Sequence, residues 1–109
     1  MSILSNVPLY ETWQMAKGAT WEASYNTINR KTREPLDLSD ASGTVKIKNG
    51  STVLYEQSIT ITATTVEVVI ADTVTTNLNG SNATFEIEIL RQSKVHKVAR
   101  GKVEFYEEL

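Results

Sequence analysis

"GTVKIKNGSTVLYEQ", residues 43–57, is the stretch that decides the fold class of this chain. Val45 and Ile47 point one way and Lys46 and Lys48 the other, the period of two that a half-buried strand imposes. Asn49-Gly50 then predicts a tight hairpin turn with positive φ at both places, and the chain returns through Val53 and Tyr55.

The same alternation spreads in both directions from this hairpin. Upstream, "YETWQMAKG" (10–18) reads as a strand closing at Gly18. "ATWEASYNTIN" (19–29) follows, with Trp21, Ala23 and Tyr25 on one face and Glu22, Ser24 and Asn26 on the other. Downstream, "SITIT" (58–62) and "VEVVI" (66–70) read as two short strands, with Ile59, Ile61, Val66, Val68 and Ile70 inward. "ADTVTTNLNG" (71–80) breaks the pattern. There Asp72 is expected to cap a short helical turn near residues 72–78 that presents Val74 and Leu78 inward, ended by Asn79-Gly80. "ATFEIEILR" (83–91) buries Phe85, Ile87 and Ile89, and "VHKVARGKVEFYEEL" (95–109) closes the domain with Val103 and Phe105 inward. Gly101 within that last strand predicts a bulge or a close backbone approach. Seven or eight short strands with regular turn signals and almost no helix predict an all-β antiparallel sandwich. Residues 1–10, with Pro8 and little periodicity, read as an N-terminal arm, and residues 11–109 as one β-sandwich domain.

Composition agrees and narrows the function classes. At 109 residues there is room for one core. Fourteen threonines and frequent valine suit a pleated surface. The absence of cysteine removes disulfides and thiolate metal sites. Eleven basic against thirteen acidic residues, net −2, argue against a dedicated nucleic-acid binder. No apolar run reaches the ~18 residues of a membrane-spanning helix, and "MSILSNVPLYE" lacks the basic and apolar blocks of a secretory signal. The expectation is a soluble chain made in a cytosol.

Chemistry-bearing residues are few. "EPLDLSDAS" (34–42) is acidic enough to suggest a calcium loop, but counting from Asp37 the fifth, sixth and twelfth positions are Ala41, Ser42 and Lys48, where an EF-hand needs an oxygen ligand, glycine and glutamate. The better reading is a bend in which Pro35 sets an extended entry, Leu36 and Leu38 plug the core, and Asp37, Ser39 and Asp40 bond to nearby amides. His96 is the single histidine, and no GxSxG turn supports a nucleophile. Glu86 and Glu88, with Glu67 on a neighbouring strand, read as a solvated acidic ladder facing the basic strand 94–102. The sequons at Asn49, Asn79 and Asn82 read as turn chemistry. No cofactor, metal, nucleic acid, membrane or small-molecule substrate is therefore expected, and no catalysis. A group of apolar and aromatic residues near the N-terminus, Ile3, Leu4, Val7, Leu9, Tyr10 and Trp13, is the candidate protein interface, because such residues are costly to leave exposed together.

The order of motifs resembles that of small structural proteins of tailed bacteriophages, a family also seen as the N-terminal module of baseplate upper proteins. The matching places are Gly18-Ala19-Thr20, residues 34–40 ("EPLDLSD"), residues 44–48 ("TVKIK"), residues 70–78 ("IADTVTTNL"), residues 85–89 ("FEIEI") and residues 101–105 ("GKVEF"). "GSNATF" departs from the family's usual glycine-and-tyrosine entry to the penultimate strand. The resemblance spans about residues 11–106 and implies an immunoglobulin-like sandwich without catalytic residues. It implies a virion structural or assembly protein of the tail, baseplate, neck or head surface, acting through other virion proteins, oligomeric in the particle, and passing through the host cytoplasm during assembly. The competing expectation is a carbohydrate- or cell-surface-binding sandwich, for which Trp13 and Tyr106 are the few aromatic residues on offer.

Overall fold

The computed structural model describes residues 2–4, 9–28, 34, 37, 38, 40–62, 64–91 and 93–107. Among the described residues, eight strands and one helical turn follow in chain order: β1 (Ser2–Leu4), β2 (Leu9–Lys17), β3 (Trp21–Ile28), β4 (Ser42–Asn49), β5 (Thr52–Thr62), β6 (Thr65–Ile70), α1 (Asp72–Thr75), β7 (Ala83–Arg91) and β8 (Lys94–Glu107). The strands lie in the order β1-β3-β6-β5-β4-β7-β8-β2. β5 belongs to both layers. Its first part pairs antiparallel with β4, from Asn49↔Thr52 to Gly43↔Ile59, and its last three residues pair with β6, Thr60↔Glu67 to Thr62↔Thr65. One layer is therefore β1-β3-β6-β5 and the other β5-β4-β7-β8-β2. With β3, β6 and the end of β5 on one side and β4, β7 and β8 on the other, this is the B-E-D against C-F-G partition of an immunoglobulin-like sandwich. The two outermost pairings, β1 with β3 and β2 with β8, are parallel, while the inner ones are antiparallel.

Alternation fills the core from both layers. Met15, Tyr25, Val45, Ile47, Val66, Val68, Ile70, Phe85, Ile87, Val98, Ala99 and Val103 are buried, and Leu38 and Leu78 plug the core from outside the strands. Each fully buried large side chain contributes about 1.5–3 kcal/mol. Leu38 thus behaves as expected of the "EPLDLSD" bend, and Ala41 N–H closes a turn onto its carbonyl at 2.9 Å. Pro35, Leu36 and Ser39 lie outside the described residues.

Several local expectations are corrected. The hairpin loop is Gly50-Ser51, not Asn49-Gly50, because Asn49 still pairs with Thr52. Gly50 alone has positive φ, +62°, the pattern of a turn with glycine first. Asn49 instead turns its side-chain Oδ1 toward Asn82, accepting that residue's backbone N–H at 3.2 Å. "SITIT" is the continuation of the returning hairpin arm, so β5 is one strand of 11 residues. A bulge at Leu54 re-phases it, since Ile47 pairs with Tyr55 and Lys48 with Val53. A second bulge sits at Val98, not Gly101: Ile87 pairs with Ala99 and Glu88 with Lys97, and both Val98 and Ala99 are buried. Asp72 is the first residue of α1 rather than its cap; Ala71 occupies the cap position with no side-chain bond. Thr75 takes over the tying role. Its buried hydroxyl lies 2.8 Å from the Ala19 carbonyl and accepts the Gly18 N–H at 3.2 Å, fastening α1 to the turn between β2 and β3.

Candidate interaction surface

Of the residues nominated as an interface, the described side chains of Tyr10 and Trp13 lie on opposite faces of β2. Period-two geometry sends even and odd positions of β2 to opposite faces. Trp13 consequently faces inward and is only 2% exposed, its ring stacked on Phe85 at 3.6 Å between centroids and tilted 39° against Trp21. It is a core residue and meets no partner from solvent. Leu9, on the same face, packs half-buried at the rim of the core. Tyr10 points the other way and is 63% exposed. Ile3 and Leu4 lie in β1, opposite Thr27 and Ile28 of β3, so residues 2–4 are a strand of the sandwich. Val7 lies outside the described residues.

A polar cluster holds β2 against the opposite layer. The Glu11 carboxylate accepts the phenol of Tyr25 on β3 through Oε1. The Trp13 indole N–H is shared between that same oxygen and the Tyr25 hydroxyl, each at 2.9 Å. Burial pushes the Tyr25 phenol far above its usual range, the Glu11 carboxylate pushes it further, and the indole donor partly opposes both. On the far side of β2, Gly101 of β8 faces Glu11 so closely that a Cβ there would fall on the Glu11 carbonyl oxygen. The predicted close approach is real, and it belongs to the parallel β2–β8 ladder.

The outer face of the five-stranded layer is a charged checkerboard. Register aligns Glu56 of β5, Lys46 of β4, Glu86 of β7, Arg100 of β8 and Tyr10 of β2 in one row. Lys46 pairs with Glu56 at 3.3 Å, Lys97 reaches Glu86 at 3.1 Å and Glu88 at 2.6 Å, and the Arg100 guanidinium lies 4.6 Å above the Tyr10 ring. The Lys97 ammonium holds the Glu88 carboxyl below the usual carboxylate range. The Val98 bulge is what lets Lys97 and Arg100, three residues apart, share this face. Glu67 is not part of the ladder: β6 lies in the other layer, where Glu67 pairs with Ser24 and Thr60. Asp37 and Asp40 are exposed, and Asp40 lies 3.7 Å from Arg91. His96 sits half-buried opposite Ile89. Among the described residues no three acidic or histidine side chains gather as metal ligands, and no helix is long and apolar enough to cross a membrane. One cleft lined by described residues runs beside Tyr10, Glu86, Arg100 and Lys102 on the checkerboard face.

No family model matches the sequence, and no curated protein matches it. Among solved structures, the chain is similar to the immunoglobulin-like domain of mouse leukocyte-associated immunoglobulin-like receptor 1, described as a strand-swapped dimer. The two are 9% identical over 87% of this chain and 88% of that one, with a TM-score of 0.46.

Sequence reasoning missed Glu11 and Thr75 as ties between elements, and Arg100 as the partner of Tyr10. For Arg100 no sequence signal existed, since the parallel β2–β8 register is a tertiary fact. For Trp13 the signal was present, because it lies an odd number of residues from Tyr10 and the two cannot share one strand face.

Proposed function

We propose that this chain is a non-enzymatic assembly module of a tailed-bacteriophage virion, holding other virion proteins through protein–protein contacts and present in the particle in several copies. The phage assignment rests on the order of motifs across residues 11–106; the mode of action rests on the sheet. One observation carries the second part. β2 ends the strand order, with β8 along one side from Leu9 to Lys17 and no described strand along the other. A strand that ends the described strand order of a rigid layer is a natural attachment point for another chain, here with the Gln14 carbonyl already taken by the Trp21 indole N–H at 3.1 Å. Side-chain chemistry points the same way, since the carboxylates of the checkerboard face are engaged with lysines rather than converging on a cleft.

The test is mass spectrometry of purified particles made by the genome that encodes this chain, followed by labelling with antibody against the domain. The expected result is a stoichiometric virion component at a discrete site. Absence from washed particles overturns the proposal.

A further inference from the structure

We propose that Asn79 is a self-modifying site, at which the side-chain amide is lost to attack by the backbone nitrogen of Gly80 and aspartyl and isoaspartyl forms result. The tripeptide Asn-Gly-Ser occurs twice, at residues 49–51 and 79–81. Asn-Gly is the dipeptide in which this cyclisation is least hindered, because glycine has no Cβ to shield its nitrogen. The two copies share their local chemistry, so the fold is what separates them.

Asn49 is held away from the reaction. It is half-buried at the end of β4, in register with Thr52 on one side and Ala83 on the other, which keeps its backbone extended. Cyclisation requires Cγ to swing over the next nitrogen, and an extended backbone turns that nitrogen away. Oδ1 also accepts the Asn82 N–H at 3.2 Å, and Gly80 packs so closely on the amide that a Cβ there would lie 2.9 Å from Cγ. Asn79 has none of these restraints. It is exposed, between α1 and β7 and outside any strand or helix. Among the described residues neither its amide nor the Gly80 N–H makes a hydrogen bond. Asn82 is exposed as well, but Ala83 follows it, and the alanine methyl shields the nitrogen that would attack.

The reaction consumes water and releases ammonia. The Gly80 nitrogen bonds to Asn79 Cγ, the bond from Cγ to the amide nitrogen breaks, and ammonia leaves with the Gly80 proton, closing a succinimide. Water then opens the ring. Opening at Cγ leaves aspartate; opening at the main-chain carbonyl leaves isoaspartate, in which the chain runs through Cβ and gains a backbone atom. That atom enters a short loop between two buried anchors, Leu78 and Ala83. The same loop carries Gly80 and Asn82, the residues that restrain Asn49. Conversion of Asn79 therefore releases the second site, and the two events are ordered. None of this depends on the virion assignment.

The test incubates the intact protein in warm, mildly alkaline water enriched in heavy oxygen, with and without concentrated urea. Chymotryptic cleavage after Tyr55 parts the two sites for peptide mass spectrometry. In urea both should convert at similar rates. In the folded protein Asn79 should take up labelled oxygen first and give both products. Asn49 should lag by about ten-fold or more, because it reacts only when its strand opens locally. Asn79→Gln keeps an amide but needs a larger ring to cyclise, so it should stay unconverted and leave Asn49 intact for longer than in the unmodified protein. Equal rates at the two sites in the folded protein overturn the proposal, as does an Asn79 that converts only in urea. An Asn49 rate that Asn79→Gln leaves unchanged overturns the ordering.

Discussion

Trp13 concentrates much of the domain's packing in one side chain: it stacks on Phe85, leans on Trp21 and donates to Glu11 and Tyr25. Trp13→Ala should cost about 3–5 kcal/mol, a large part of the ~5–15 kcal/mol that stabilises a domain of this kind. A residue serving an interface would instead leave the urea midpoint of the isolated domain unmoved. Tyr25 gives a second handle at this scale. Its phenol stays protonated in the folded chain well above the ordinary phenol value of about 10, chiefly because it is buried. Its contribution is therefore fully present below pH ~10 and is lost as pH rises beyond it, because the unfolded chain releases the proton first. Tyr55, also raised by burial, adds to the same alkaline decline. Denaturant titrations above pH ~10 should show a shallower decline for Tyr25→Phe than for the unmodified protein; parallel curves would remove the assignment.

Between elements, the β2–β8 ladder fits closely at Gly101. Gly101→Ala would drive a methyl group into the Glu11 carbonyl, so backbone must move, and a loss of about 1–3 kcal/mol is expected. The loss should appear in thermal unfolding, and hydrogen exchange should rise first in β2. The checkerboard behaves differently. Its pairs are half-exposed, and pairs of this kind contribute about 0–1 kcal/mol, less in high salt. Lys97→Ala should change the urea midpoint little at low salt and not at all in concentrated salt; a loss of several kcal/mol would mean the pairs are far less solvated than their exposure indicates. Strand existence was legible here from alternation alone, as β3, β6 and β7 illustrate. Phase was not. The bulges at Leu54 and Val98 insert one residue each and reverse which neighbours share a face, and no local pattern in the sequence marks them. The hairpin loop was displaced by one residue for a related reason. Asn49 has a long-range partner in Asn82, and that bond outweighs its preference for positive φ.

At the scale of the molecule, β5 governs cooperativity. Because the same strand is hydrogen-bonded to β4 in one layer and β6 in the other, neither layer can come apart while the other remains whole. Far-ultraviolet circular dichroism and tryptophan fluorescence should give superimposable urea transitions, and separate midpoints would contradict the shared strand. The layered architecture could be read from the sequence, because strand count and turn spacing constrain it strongly. The attachment surface could not. Which strand ends the sheet, and which side chains border that edge, depend on the parallel pairing of the first long strand with the last, a contact separated by most of the chain.

That same parallel pairing has a mechanical meaning. β2 enters the domain near its start and β8 leaves it near its end, and the two run side by side in the same direction from Leu9↔Ala99 to Lys17↔Glu107. A pull that drags the entry of β2 away from the exit of β8 acts along the strands, so all the rungs of the ladder carry load together instead of opening one after another. A module tethered at both ends would resist stretching far better than peeling.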